Sequence, residues 1–283
     1  MDFPLRGTVF LTDHPTISVI TPVYNAVRFL PQVVESVKSQ CEVNVEHILV
    51  DDCSTDGSLE LLHKLASGNP SIKIFALPTN SGPVVARNYA VTKATGRYLA
   101  FLDADDLWLP EKCSIQLAFM QKTGAAITFT DYRFISEDGC LIGRRLRGPR
   151  QIGWHMHHMT RYLGCLTIML DRDMCPGFVF PDINPSYRAE DFLAWSMIIK
   201  NVGPVWRVPH DLARYTVVKN SRSSRPVRAA LSVWKLFRYV EKIPLYKVCV
   251  YFSIYSIFAS AKRFFCRPQW PRACIDDNWV KLD

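Results

Sequence analysis

The chain has 283 residues, 48% hydrophobic and 21% charged, which excludes a disordered or fibrous protein and leaves room for one large domain plus an appendage. Its 34 Lys and Arg against 26 Asp and Glu give a net charge of +8, a balance that suits phosphate-bearing substrates, an anionic membrane surface or nucleic acid without choosing among them. Nine cysteines lie far apart with no Cys-x-x-Cys pair, and the first 15 residues carry Asp2 and Asp13 and no long apolar core, so reduced thiols in a cytoplasmic protein are expected.

Ile17 to Val23 is a β-branched run that predicts a buried strand ended by Pro22. After Tyr24 and Asn25, the residues Val27, Leu30, Val34, Val37 and Cys41 recur at alternating spacings of three and four. This predicts one helical face, with Pro31 tolerated in the first turn. A second strand, Val45 to Val50, stops on Asp51 and Asp52. Cys53 to Gly57 is turn and N-cap chemistry, and the helix beyond it presents Leu59, Leu62 and Leu65. Ile72 to Leu77 predicts a third strand, Ser81-Gly82-Pro83 the start of a helix that Gly96 stops, and Tyr98 to Leu102 a fourth strand. Strands alternating with helices call for a mostly parallel sheet covered on both faces, because parallel neighbours need crossover connections, and the expected class is α/β.

The Tyr98 run stops abruptly on Asp103, Asp105 and Asp106. Open α/β sheets place their ligand crevices at the carboxyl ends of strands, and clustered negative charge there calls for a cation. Mg²⁺ or Mn²⁺ takes one or two protein carboxylates and completes its shell with phosphate oxygens, so the pattern points to a diphosphate-bearing substrate. An acidic turn capping the helix that Pro110 begins is the alternative. Thr21 to Asn25 stands where a dinucleotide-binding sheet needs Gly-x-Gly-x-x-Gly, which excludes a Rossmann dehydrogenase.

Four segments taken together, Ser18 to Asn25, Val50 to Gly57, Ala86-Arg87-Asn88 and Phe101 to Asp106, resemble the family 2 glycosyltransferases in order and spacing. The resemblance implies a GT-A fold, a nucleotide-binding α/β half joined to an acceptor-binding half, and sugar transfer with inversion from a nucleotide-sugar donor, a UDP-sugar in the first instance. Position by position, it implies Pro22 and Tyr24 beside the nucleotide base, Asp52 on the base or ribose, and Arg87 near the donor. Asp103 and Asp105 become the Asp-x-Asp pair, with Asp105 first for direct metal contact and Asp106 next for a metal or sugar contact. Asn80 and Gly82 also fit the pattern. Each has a structural alternative: Pro22 ending a strand, Asp52 capping, Arg87 pairing with an acid, and Thr79 to Gly82 a plain turn.

Beyond Pro110 a helix is expected to carry Cys113, Leu117 and Met120 and to end at Gly124, before a strand from Ala125 to Thr130 and a hairpin turn at Ser136 to Gly139. The basic segment Arg144 to Arg147 reads as a solvated loop, with an acceptor phosphate as the other reading of its charge. Trp154 to His158 carries three histidines, but no Cys or acid at ligand spacing accompanies them and no metal is assigned there. Arg188 to Trp195 opens a helix presenting Leu193 and Met197, and its Glu190-Asp191 resembles the family's catalytic acidic pair, which implies Asp191 as general base with Glu190 the competitor. Acids at a helix N-terminus are also favoured by the dipole alone. After Leu212 to Tyr215 relatives commonly continue with Arg, an apolar residue and His, whereas this chain has Thr216-Val217-Val218, with Lys219, Arg222 and Arg225 as bases that can substitute.

The expected organisation is a glycosyltransferase domain over residues 1–225, its nucleotide-binding half at 16–130 and its acceptor half at 131–225, followed by a helical tail at 226–283. The tail is aromatic and apolar with basic punctuation. Its apolar run, Val248 to Ala261, uncharged and flanked by Lys247, Lys262 and Arg263, is shorter than the roughly 20 residues a membrane span needs, so it lies in a membrane interface or packs on the domain. The function expected is an inverting, metal-dependent glycosyltransferase acting on a glycan or polyprenyl-diphosphate-linked acceptor in surface polysaccharide synthesis, at the cytoplasmic face of the inner membrane, with no nucleic acid partner. A sugar nucleotidyltransferase and an inert nucleotide-sugar-binding membrane-associated protein are the alternatives.

Overall fold

A computed structural model describes residues 16–160, 162–183, 189–218 and 226–265. Strands β1 (Ile17–Val23), β2 (Val45–Asp51), β3 (Ile72–Ala76) and β4 (Tyr98–Phe101) are joined by helices α1 (Leu30–Lys38), α2 (Ser58–Ala66) and α3 (Pro83–Lys93). They form the parallel part of the sheet, in the order β3-β2-β1-β4. The short β5 (Leu107–Trp108) and helix α4 (Lys112–Thr123) follow, then β6 (Ile127–Ser136), β7 (Leu141–Leu146), β8 (Gln151–Ile152) and α5 (Trp154–Met159). A 3₁₀ turn at Cys165–Thr167 leads into β9 (Ile168–Asp171), and α6 (Glu190–Asn201) precedes the long β10 (Val205–Val217). The sheet continues β4-β9-β6-β10-β5, with β9 antiparallel to both β4 and β6 while β6 runs parallel to β10.

Apolar residues on the two sheet faces build two cores. One packs Leu30, Val33 and Val37 of α1, Leu62 of α2 and Leu117 of α4 against Val19, Trp108, Tyr132 and Ala213. The other packs Ala86 and Ala90 of α3 and Trp195 and Ile198 of α6 against Phe101, Ile127 and Phe129. Beneath the acid-bearing loop, Phe101 meets Phe178, Phe180 and Trp195 at ring-centroid distances of 5.7, 5.2 and 5.7 Å. Such edge and tilted pairs add about 0.5–1.5 kcal/mol each beyond area burial. Gly96 is required by close approach: a Cβ there would lie 2.8 Å from the Ser18 amide nitrogen.

Several boundaries differ from expectation. Pro22 does not end β1 but lies inside it, opposite Val50 of β2, at a height where β4 has already ended, so its missing N–H costs no ladder bond on that side. Helix α1 spans only Leu30–Lys38; Val27 precedes it and Cys41 is exposed beyond it. Of the leucines on α2 only Leu62 is buried, and Met197 of α6 is 46% exposed rather than core-facing. The basic segment is not a solvated loop: β7 pairs with β6, and Arg145 is tied to Asp131.

The tail forms α7 (Pro226–Lys235), a π-helical turn (Leu236–Val240) and α8 (Leu245–Phe265). Val233, Leu236, Phe237, Val248, Tyr251 and Tyr255 pack on Phe192 and Leu193 of α6 in a third core. The three histidines of α5 serve this junction: His155 Nδ1 lies 2.6 Å from the Tyr251 hydroxyl, His157 Nε2 2.9 Å from the Phe192 carbonyl, and His158 Nε2 2.6 Å from Glu241. Among the described residues no helix is long and apolar enough to cross a membrane.

Candidate active site

The parallel strands present their carboxyl ends at one edge, and the local chemistry there follows from where each chain segment leaves the sheet. β2 ends in Asp51 and Asp52. Asp52 is buried, and its two oxygens accept hydrogen bonds from the Ser81 amide at 2.7 Å and the Gly82 amide at 2.8 Å. The carboxylate therefore holds the turn that leads into α3; it is not a helix cap, since neither α2 nor α3 has a side-chain cap bond at its N-terminus. At the end of β1, Pro22 is half-buried and Tyr24 is 51% exposed, offering a ring face to solvent at this edge. Asn25 adopts φ +47°, and its Oδ1 accepts from the Thr55 amide at 2.8 Å, joining the turns that follow β1 and β2.

Because Asp52 sets the start of α3, it also sets Arg87 one turn later. The Arg87 guanidinium is buried, pairs with Asp103 at 2.5 Å, and stands 4.0 Å from Glu190 at the start of α6. Burial opposes its charge, but Asp103 outweighs this and holds Arg87 above the ordinary arginine range. One arginine thus connects the acid loop after β4 with the acidic pair of α6. Asp191 Oδ1 accepts from the Phe192 amide at 2.7 Å. Cys165, in the 3₁₀ turn before β9, lies among these groups: burial raises its thiol well above the usual range, Arg87 opposes the rise, and Asp103, Asp191 and Glu190 add to it.

Asp103 is about one-third exposed and Asp105 is half-buried. Burial and then the Asp103 charge push Asp105 up to about 6. Two carboxylates that repel at the protein surface fit a divalent cation, which would replace the repulsion with attraction and take its remaining ligands from a diphosphate. No group of three or more His, Cys, Asp or Glu side chains gathers as a metal site among the described residues, so any ion here would depend on substrate oxygens. Asp106 is turned into the protein: it is buried, and its Oδ1 accepts from the Thr216 amide at 2.9 Å. Burial, then Asp105 and Asp103, raise it well above the ordinary carboxylate range, while the Thr216 amide works the other way.

The sequence reading missed two contributors. Arg28 acts electrostatically on Asp105 and pairs with Glu137 of the β6–β7 turn at 2.7 Å; only its position just after the β1 segment could have flagged it. Cys165 carries no sequence signal at all. Arg188, Lys219, Arg222 and Arg225 lie outside the described residues. A cavity of about 590 Å³ lies at the opposite, amino edge, lined by Thr95, Arg97, Arg172, Asp173 and Phe178. Its arginines are already engaged, Arg97 by Asp171 and Arg172 by the Ala94 and Gly96 carbonyls.

Known proteins resemble this chain in sequence and in fold. A sequence profile described as Glycosyl transferase family 2 matches residues 18–177. A Bacillus subtilis protein named for teichuronic acid biosynthesis, the glycosyltransferase TuaG, is 35% identical over 88% of this chain and 98% of its own length. The Escherichia coli enzyme WfgD, a UDP-Glc:α-D-GlcNAc-diphosphoundecaprenol β-1,3-glucosyltransferase, is 28% identical over 89% of this chain and 97% of its own. The mannosyltransferase PcManGT of Pyrobaculum calidifontis, solved with GDP-Man and Mn²⁺, superposes with a TM-score of 0.63 at 16% identity, covering 90% of this chain and 73% of that one. With a parallel half-sheet, an acid loop at its carboxyl edge and matches across most of its length, the chain belongs to glycosyl transferase family 2 and is a glycosyltransferase of GT-A fold.

Proposed function

We propose that the protein transfers a sugar, with inversion, from a nucleotide-diphosphate donor to a hydroxyl of a lipid-linked or glycan acceptor in the synthesis of a cell-surface polysaccharide. The observation that carries this reading is the Arg87 bridge, which gathers the Asp103 loop and the Glu190-Asp191 pair at one sheet edge. The WfgD enzyme supports a UDP-sugar and a diphosphate-lipid acceptor, and the PcManGT complex supports a divalent metal.

In this reading Tyr24 stacks on the base, while Asp52 acts on the base or ribose through the 79–82 turn that it holds. Asp105 and Asp103 hold Mn²⁺ or Mg²⁺, which supplies charge neutralisation for the departing diphosphate. Asp106 supports the loop from below, and Arg87 keeps Asp103 ionised and oriented. A sugar hydroxyl is a poor nucleophile at neutral pH, so a carboxylate must take its proton as it attacks the anomeric carbon from the face opposite the diphosphate. Asp191 takes that role. The tail holds the protein peripherally at a membrane: α8 turns Tyr246, Val250 and Ile257 outward, beside the exposed Arg238, Lys242 and Lys247.

Replacement of Asp191 by Asn keeps shape and removes basicity. Donor affinity should change little, and transfer from UDP-glucose to an N-acetylglucosaminyl-diphosphate lipid should fall by about 10²–10⁴. Near-normal transfer in folded Asp191→Asn alongside loss in Glu190→Gln would move the base to Glu190; normal transfer in both would refute the site.

A further inference from the structure

A second charged cluster flanks this site, and it is cationic. Asp131, with a fully buried side chain, accepts from Arg207 Nε at 2.7 Å and Nη2 at 2.6 Å, and pairs with Arg145 Nη2 at 2.6 Å. Asp211, its register partner on β10, pairs with Arg214 Nη1 at 2.8 Å and with Arg133 Nε at 2.6 Å, the latter at an angle poor for a hydrogen bond. Four guanidinium groups meet two carboxylates, an excess of two positive charges. Arg214 is buried, and its burial, with Arg133 and Arg145 adding to the effect against Asp211, holds it below the ordinary arginine range. The other three side chains are 20 to 28% exposed, so the cluster is desolvated on its inner side and open on its outer side. The two terminal amino groups of Arg133 have no protein partner among the described residues.

The sheet fixes where this excess lies. Ile127 and Phe129 face the α3–α6 core and Tyr132 and Phe134 the other core, so Asp131 and Arg133 continue the α3–α6 face, the face that carries Arg87 and Glu190. Parallel β6 and β4 end at the same edge. Arg214 is the strand partner of Leu107, and two residues on, the Thr216 amide binds Asp106. The cationic cluster therefore stands roughly 10 Å from the acid loop, on the acceptor side of it.

We propose that Arg133, Arg145, Arg207 and Arg214 form a binding site for a phosphate or diphosphate group carried by the acceptor. A dianion neutralises the uncompensated charge, and guanidinium forks match phosphate oxygens bidentately. That the phosphate comes from the acceptor rests on the glycosyl-transfer reading; that an anion binds here does not.

The test is calorimetric titration of the full chain with inorganic pyrophosphate and with geranyl diphosphate, a short lipid mimic, in EDTA, and with geranyl diphosphate again in Mg²⁺ with and without saturating UDP. Both probes should bind the wild type, geranyl diphosphate should still bind with UDP in place, and Arg133→Gln should weaken binding about tenfold, with Arg133→Lys, which keeps the charge but not the fork, in between. Arg133 is the residue to change because its terminal groups hold no other part of the fold; a thermal melt confirms that each variant is folded. Absence of binding, equal affinity in folded Arg133→Gln, or full displacement by UDP would each overturn the proposal, the last by assigning the anion site to the donor. Hydrolysis of UDP-glucose by the wild type is measured in parallel: its absence would count against the glycosyl-transfer reading while leaving the anion site standing.

Discussion

The two edges of the parallel sheet carry the same kind of residue in opposite states. At the amino edge, Glu46 is buried yet satisfied: it accepts from Ser18 Oγ at 2.5 Å, Lys73 Nζ at 2.5 Å, the Thr95 amide at 2.6 Å and the Thr95 hydroxyl at 2.9 Å. Burial alone would raise its carboxyl, but Lys73, Ser18 and Thr95 outweigh burial and hold it below the usual range. At the carboxyl edge, burial raises Asp105 and Asp106, Asp103 adds to both and Asp105 to Asp106, with few donors to offset it. A carboxylate that the fold has satisfied stabilises the fold, whereas carboxylates left repelling one another are stabilised only by what binds them.

This contrast can be broken from either edge. The largest effect is expected at the satisfied one: Glu46→Ala strands Lys73 and several buried donors and should cost ~3–5 kcal/mol in urea unfolding. A loss below 1 kcal/mol would show that the network is not what holds that edge. Acid should act on the strand that carries Glu46 and at the junction of α5 with α6. His47 is fully buried with Thr21 as its one side-chain hydrogen-bond partner among the described residues, His157 is fully buried under α6, and burial lowers both from 6.5 to about 3. The unfolded chain takes up protons below pH 6.5 while the folded one does not until about pH 3. Stability is therefore complete above 6.5 and falls as pH drops, by about 2 kcal/mol for each histidine between pH 7 and pH 5. Urea midpoints at the two pH values measure this, and His47→Gln should remove about half of the difference.

At the unsatisfied edge, Asp105→Ala should weaken Mn²⁺-dependent UDP binding at least about 100-fold in calorimetry and leave stability equal or higher, because it removes a repelled carboxylate. Lost stability with intact binding would reverse the contrast. The smallest effect concerns a charge belonging to neither class. Lys112 is fully buried, its Nζ has no hydrogen-bond partner among the described residues and lies 3.7 Å from the Trp108 ring centroid, and burial lowers it to about 8. Lys112→Met should raise stability by ~1–3 kcal/mol with donor binding unchanged. A lower melting temperature would mean that the cation has a partner of its own.

Much of the nucleotide-binding half was legible in the sequence because its signals are local. β-branched runs closed by Asp51-Asp52 and Asp103, a proline at the start of α3 and Gly124 after α4 each act within a few residues. The acceptor half was read less well: its strands pair with distant partners, β6 runs past Thr130, and the basic segment forms β7 by pairing with β6, where Asp131 receives Arg145. The α8 helix likewise runs beyond its 14-residue apolar stretch, and Val248, Tyr251 and Tyr255 within that stretch pack in the core shared with α6.

Residue order by itself determined the α/β alternation, the acid motifs and the family, since each depends on residue type and spacing along one stretch of chain. Which acids are satisfied, which are left repelling, that Arg87 links the loop after β4 to the start of α6, and that four arginines crowd two aspartates were decided only by tertiary structure. These properties depend on desolvation and on distances between segments as much as 110 residues apart, as from Asp106 to Thr216, and neither quantity exists until the sheet has brought those segments together.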